Sequence, residues 1–267
     1  MGNSVTLLAN VRVFATYPHN CSYLAGEQAT TLFVDPSTPI DARIYSQLSY
    51  IGFRRSGPHL YRPHCAACNA CVPARVPVEA FAPNRGQRRI LARNGDLEAQ
   101  VVDSIHSDAH FALYSRYIEQ RHRDGDMYPP DREQYDSFLT REWGSTSFVE
   151  FRAAGQLLAV AVMVLHETGL TAIYTYYEPA EEKRSLGSYV ILWQIERARE
   201  LSLPAVYLGY WIRNCRKMNY KTRFRPIELL ANDSPGVARP LVVDLGTGSG
   251  AIALAVKQAH PAATVLA

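Results

Sequence analysis

Across residues 147–209 the apolar positions change period twice, and no other feature of the chain limits its fold as tightly. Segments 147–153, 156–166 and 170–177 alternate with period two, the spacing of strands. Ala154 and Gly155 separate the first two, the length and residue type of a tight hairpin turn. Residues 187–201 switch to helical spacing, with Val190, Ile191 or Trp193, Ile195 and Ala198 facing inward. A short strand, 205–209, follows Pro204. Antiparallel strands, a helix and a returning strand predict an α+β core.

Upstream the signals are more broken. Residues 5–16 alternate loosely as a strand, and Cys21 follows in a polar turn. Thr38 as cap, Pro39 at the first helical position and Asp41 in the first turn predict a helix carrying Ile44, Leu48 and Ile51. Prolines 63, 73 and 77 block regular helix, and 76–81 resumes as a strand. A long helix is predicted over 108–122, with Phe111, Tyr114, Tyr117 and Ile118 on one face, and Asp131 caps a short helix reaching Leu139. These elements divide the chain into a cysteine-containing N-terminal region (1–103), a second domain (104–231) and a tail (232–267).

The bulk properties exclude several classes. With 47% hydrophobic residues in 267, a packed core is expected and wholesale disorder is not. The net charge of +3 rules out protein-wide attraction to nucleic acid, so any such binding must come from local patches. The apolar runs are too short to span a bilayer, and the first residues lack a basic flank and a cleavage signal. Five cysteines without an export signal point to a reducing cytoplasm. Neither a membrane nor DNA is an expected partner.

Two dense blocks carry the chemistry. The first, from Gly52 to Arg93, sets Cys65, Cys68 and Cys71 at C-x2-C-x2-C spacing between Arg54-Arg55 and the run Arg85, Arg88, Arg89 and Arg93. Guanidinium forks suit phosphates and carboxylates, because each meets two oxygens at once. The second block holds Arg213, Arg216, Lys217, Lys221, Arg223 and Arg225 with no acid among them, interleaved with Tyr210, Trp211, Tyr220 and Phe224. Charge for phosphates and rings for stacking fit a single-stranded nucleic-acid end; a solvated basic edge over core aromatics is the plainer alternative.

Several stretches match a known family together. Cys21-Ser22-Tyr23-Leu24, Gly52-Phe53-Arg54-Arg55-Ser56-Gly57, Cys71-x-Pro73-x-Arg75, Tyr207-Leu208-Gly209-Tyr210-Trp211-Ile212 and Lys217-Met218-Asn219-Tyr220-Lys221 resemble the aminoacyl-tRNA–protein transferases. The likeness runs over about residues 8–231 and is greatest to the bacterial branch that adds leucine to Asp or Glu. It implies transfer of leucine from leucyl-tRNA to the α-amine of proteins with N-terminal Asp or Glu, marking them for degradation by the N-degron pathway. The order of elements is similar to the N-acetyltransferase type, in which a helix N-terminus receives the acyl donor. The turn there is Lys183-Arg184-Ser185-Leu186-Gly187. The alternatives are an arginyl-tRNA–protein transferase and a non-catalytic, metal-stabilised RNA-binding module.

Within that likeness Glu178 is the expected base or amine-holding carboxylate, and Tyr177 or Tyr176 the donor to the ester carbonyl or a wall of the leucine pocket. Lys217 joins the catalytic set. Arg54 and Arg55, with Arg75 in reserve, are expected to clasp the acceptor's acidic side chain. Tyr220 and Lys221 would hold the tRNA 3′ end, Arg184 a terminal phosphate, and 85–93 the acceptor stem unless it only decorates a solvated turn. No cofactor is needed, because an aminoacyl ester is already activated. His59, His64 and His122 receive no role. The eukaryotic relatives carry C-x-x-C where this chain has Cys21-x-x-Leu24. The expected state is therefore four reduced thiols, with a structural four-thiolate metal site of Cys21, Cys65, Cys68 and Cys71 as the alternative. Cys215 has no evident partner.

After Leu230 a linker-like Asn232-Asp233-Ser234-Pro235-Gly236 leads to Asp244-Leu245-Gly246-Thr247-Gly248-Ser249-Gly250. That motif resembles the first motif of the release-factor glutamine methyltransferases, whose glycines let backbone approach S-adenosylmethionine. The later acidic residue and catalytic segment are missing. The tail is expected to be a truncated fragment without activity, its strands lacking partners.

Overall fold

A computed structural model describes residues 8, 11–140, 146–230, 240–243 and 264–266, the last two segments as backbone. Its strands are β1 (Val13–Ala15), β2 (His19–Asn20), β3 (Gln28–Ala29), β4 (Thr31–Val34), β5 (Arg54–Ser56), β6 (His59–Pro63), β7 (Val72–Pro77), β8 (Glu98–Val102), β9 (Thr146–Ala153), β10 (Gln156–His166), β11 (Gly169–Tyr177), β12 (Ala205–Trp211), β13 (Glu228–Leu230), β14 (Pro240–Val243) and β15 (Thr264–Leu266). The helices are α1 (Ala42–Tyr50), α2 (Arg85–Arg93), α3 (Asp108–Arg121), α4 (Arg132–Tyr135) and α5 (Leu186–Glu200). The α+β expectation holds, with the order strand–helix–strand present as β11–α5–β12.

The main sheet runs β15-β14-β13-β7-β12-β11-β10-β9-β8, and a smaller one runs β1-β4-β6-β5. Strand β10 lies deep inside, and its alternation sorts the core. Ala159, Ala161 and Met163 face α5, joining Leu186, Val190, Ile195 and Ala198. Val160 and Val162 face the other way and pack with Leu113, Tyr114, Tyr117 and Ile118 of α3. One period-two segment thus feeds two helical layers. Farther along, Val164 meets Tyr45 and Leu48 of α1 with Phe53 and Leu60.

Some elements differ from the sequence expectation. Asp41 is itself the cap of α1, its Oδ1 accepting from the Ile44 amide at 2.7 Å, so the helix starts after the Thr38-Pro39 signal. The basic run 85–93 is a helix and not a turn. Asn84 and Gln87 form a reciprocal capping box at its start. Strand β7 begins at Val72 and holds Pro73; the ladder to β13 is registered only at Arg75 and Ala74, which leaves Pro73 outside it. In the tail, β14 pairs with β13 and β15 with β14, so these strands extend the main sheet and are not partnerless. The glycine motif Asp244–Gly250 lies outside the described residues. Strands β7 and β8, from before residue 103, both belong to the main sheet.

The feature that positions the site is the parallel pair β11 and β12. They are registered only at Leu170–Val206 and Thr171–Tyr207. Strand β11 then follows β10 as far as Tyr177, while β12 follows β7 as far as Trp211. The two separate into a V. At its apex Gly169 is obligatory, because a Cβ there would lie 2.2 Å from the Ala205 carbonyl oxygen. Helix α5 crosses from one arm to the other.

Candidate active site

Three elements meet at the mouth of the V. Tyr177 ends β11, and its ring lies against the first turn of α5, where a Cβ on Gly187 would sit 3.1 Å from the ring. Tyr117 comes from α3, with its ring centroid 4.9 Å from that of Tyr177. Tyr220, a residue 39% exposed, comes from the single turn Asn219–Arg223. Burial first, then the neighbouring Tyr177 and Tyr220, raise the pKa of Tyr117, and burial and Tyr177 push Tyr220 up to about 12. All three phenols therefore stand close together, and Tyr117 and Tyr220 keep their protons at neutral pH. Ser185, the residue before α5, has left-handed backbone and no capping side-chain bond. The Ser188 and Tyr189 amides both donate to the Ser185 carbonyl at 3.0 Å, which leaves the Leu186 and Gly187 amides for another acceptor.

Beside this mouth lies a pocket of about 440 Å³, lined by Arg213, Asn214, Arg216, Asn219, Tyr220, Thr222 and Arg223. Among the described residues none of its three arginines has an acidic partner. Gln87 of α2 donates to the Arg223 carbonyl oxygen at 2.9 Å, which brings Arg85, Arg88 and Arg89 alongside. The basic run 85–93 and the 213–223 loop, far apart in sequence, are thus neighbours.

The residues singled out from sequence are placed differently from one another. Glu178 is 9% exposed, and one carboxylate oxygen takes both Nε (2.9 Å) and Nη2 (2.8 Å) of Arg116. Its other oxygen accepts from the Ala180 amide at 3.3 Å. It clasps the end of β11 and is not a free base. Tyr176 is fully buried on the α3 face, its hydroxyl 2.8 Å from that of Tyr135, so of the two tyrosines only Tyr177 reaches the mouth.

Arg54 and Arg55 are neighbours on β5 and point to opposite faces, so they cannot clasp one carboxylate together. Arg54 is 5% exposed; its Nη1 donates to the carbonyls of Ser49 (3.0 Å) and Phe53 (2.7 Å), and its guanidinium lies over Tyr207 and Tyr210. Arg55, equally buried, donates to Gly57 and Thr146. Arg75 pairs with Glu228 at 2.5 Å; burial works against its charge, but Glu228 and the Tyr207 hydroxyl outweigh it and hold the guanidinium protonated. The pocket between Arg54 and Arg75 measures about 20 Å³, room for a water but not for an acidic side chain.

Arg184 is also committed, meeting Asp96 through both Nη atoms at 2.7 and 2.9 Å. Lys217 holds Asp124 at 2.6 Å and keeps that carboxylate below its usual range. Lys221 is 4% exposed and donates inward to the Tyr210 carbonyl, on the arm of β12 that β11 has left. Burial and the charge of Arg54 lower its pKa to about 7.

The cysteines cluster without forming a described metal site. All five are half-buried and outside any disulfide, and burial with the nearby thiols of Cys21, Cys65, Cys68 and Cys215 pushes Cys71 up to about 12. Cys215, isolated in sequence, is thus a fifth member of the group. Among the described residues no set of three or more His, Cys, Asp or Glu is arranged to hold a metal ion.

Sequence reasoning missed His122. It ends α3, with Nε2 3.1 Å from the Tyr117 hydroxyl. Only the helix register that brings Tyr117 inward could have signalled it.

Known proteins resemble the chain over this same region. The family model for the N terminus of arginine-tRNA-protein transferase matches residues 19–89, and that for the C terminus matches 109–231. The aspartate/glutamate leucyltransferase of Pseudomonas fluorescens (strain Pf0-1) is 62% identical over 228 residues, covering 85% of this chain and 97% of that protein. Its counterpart in Pseudomonas entomophila (strain L48) is 61% identical with the same coverage. Among solved structures, FemX aligns at a TM-score of 0.43 and 10% identity, over 78% of this chain and 81% of FemX. No helix among the described residues is long and apolar enough to cross a membrane. The chain belongs to the arginine-tRNA-protein transferase family, and it is an aminoacyltransferase.

Proposed function

We propose that the protein transfers leucine from leucyl-tRNA to the α-amine of proteins that begin with Asp or Glu, an N-degron mark made in the cytoplasm. The observation that carries this reading is the acid-free arginine pocket, which shares Tyr220 with the mouth of the V. The names of the relatives favour leucine over arginine as the donor group.

The chemistry asks little beyond placement. The aminoacyl ester is activated, and an acceptor α-amine with a pKa of about 7.7–8.0 is partly neutral at pH 7. Arg213, Arg216 and Arg223 take the phosphates of the tRNA 3′ end, and the Tyr220 ring offers a stacking face. The ester carbonyl sits at the first turn of α5, where backbone amides and the Tyr177 hydroxyl stabilise the oxyanion. Gly187 leaves the space that the Tyr177 ring occupies against the helix. We assign Glu178, Arg54, Arg55, Arg75, Arg184 and Lys221 to building this cleft and not to touching substrate. The acidic side chain of the acceptor then has to meet cations of the rim. The three-part division of the chain at residues 103 and 231 is kept as a working boundary, because the family match ends at residue 231.

The test is transfer to an Asp-starting peptide from leucyl-tRNA and arginyl-tRNA in parallel. Leucylated peptide alone is expected. Arginylated peptide would support the arginyl alternative, and tRNA binding without transfer the non-catalytic one.

A further inference from the structure

With Glu178 tied to Arg116, the cleft needs another proton acceptor, and the geometry supplies one. Tyr117 is 9% exposed, its ring packs 4.9 Å from Tyr177 at the mouth, and its hydroxyl bonds to Nε2 of His122 at 3.1 Å. We propose, on the reading of the protein as an aminoacyltransferase, that Tyr117 is the catalytic residue that takes the proton of the attacking amine and that His122 receives the proton that Tyr117 releases.

The surroundings suit the parts. Tyr117 faces Tyr177 and Tyr174 of β11 and Tyr220 of the 219–223 turn, none of which offers a carboxylate. Around His122 stand Arg121 on its own helix, Asp124 in the following loop and Lys217 from the 213–223 loop. Burial, then Lys217, lowers the imidazole pKa against the weaker pull of Asp124. The imidazole is neutral at pH 7 and can accept through Nε2, with its hydrogen on Nδ1. Lys217 is steadied in that place by Asp124.

The step balances as follows. The neutral amine attacks the ester carbon, the N–C bond forms, and the carbonyl electron pair moves to oxygen. The nitrogen is then a cationic ammonium and a strong acid, so a weak base suffices. Its proton passes to the Tyr117 oxygen while the Tyr117 proton passes to His122. On collapse the bond from carbon to the ribose oxygen breaks, and the proton returns through Tyr117 to that oxygen. Amide and uncharged tRNA leave, and the tyrosine and imidazole are restored.

The experiment compares wild type, Tyr117→Phe and His122→Gln in leucyl transfer to an Asp-starting peptide. Tyr117→Phe keeps the ring and removes only the hydroxyl. Both variants are expected to lose about 100-fold or more in kcat, with KM for leucyl-tRNA unchanged. The pH profile separates a proton role from a structural one. For wild type, log kcat/KM for the peptide should fall with slope one below the amine pKa, then with slope two at the lower pH where His122, its pKa depressed by burial and Lys217, is also protonated. His122→Gln should keep slope one throughout, and added imidazole should restore part of the rate of His122→Gly. Wild-type rates or an unchanged slope of two in His122→Gln, or full activity in Tyr117→Phe, overturns the relay. A wild-type protein that binds leucyl-tRNA and transfers nothing overturns the functional reading beneath it.

Discussion

Arg54, Arg55 and Arg75 lie in the interior, each bonded to carbonyls, a hydroxyl or an acid, whereas Arg213, Arg216 and Arg223 line an open pocket with no acid among them. The first group sits where β5 and β7 pack against α1 and β12. There a bare guanidinium would be costly, so each is turned to partners within the protein, although the buried Nε of Arg54 has none among the described residues. The second group sits on a loop beyond the end of β12, where water solvates it and a phosphate can displace that water. The difference teaches that a cationic residue is available to a substrate only when the fold has not already used its donors.

Three experiments break or sharpen this contrast. Glu228→Ala strands Arg75 in the interior and should cost about 3–5 kcal/mol of stability, read from the denaturation midpoint. A midpoint near wild type would mean that the Arg75–Glu228 pair is dispensable and the interior group less committed than its geometry implies. Lys221 comes next. Its pKa falls from 10.5 unfolded to about 7 folded. Between these values the unfolded chain binds a proton that the folded one does not, so stability rises with pH across the window and declines as pH falls toward 7. The Lys221 share of that slope is at most about 1.4 kcal/mol per pH unit, and Lys221→Met should flatten it. An unchanged slope would place the Lys221 ammonium in contact with solvent. The smallest effect on stability belongs to the open group. Joint Arg213→Ala, Arg216→Ala and Arg223→Ala should change stability by less than about 0.5 kcal/mol and yet weaken tRNA binding. Each lost phosphate contact should reduce the slope of log affinity against log salt by about 0.7–0.9. An unaltered slope would remove the pocket from the tRNA path.

Much of the framework was legible without coordinates. The period-two segments became β9, β10 and β11, the Ala154-Gly155 turn is present with both residues at positive φ, and the helix around Val190 and Ile195 is α5. Long, regular segments read well because burial acts on every residue of a face. The basic run 85–93 read poorly: α2 buries little of its own surface, and its existence rests on the Asn84–Gln87 cap and on what it leans against. The site was harder still. Glu178 and Arg184 were picked for their charge, but Arg116 and Asp96, 62 and 88 residues away in sequence, neutralise them. His122 carries no signal of its own in the sequence, where a lone histidine reads as a loop residue.

Residue periodicity and the long matching motifs determined the α+β class, the family and the presence of two basic blocks. These properties are local, because a strand or helix face is written in consecutive residues and a motif in its own letters. Which charges are spent and which are free, which tyrosine reaches the cleft, and that β11 and β12 part beyond Thr171 were decided only by the tertiary structure. Desolvation and ion pairing act through space, and their partners lie far apart along the chain.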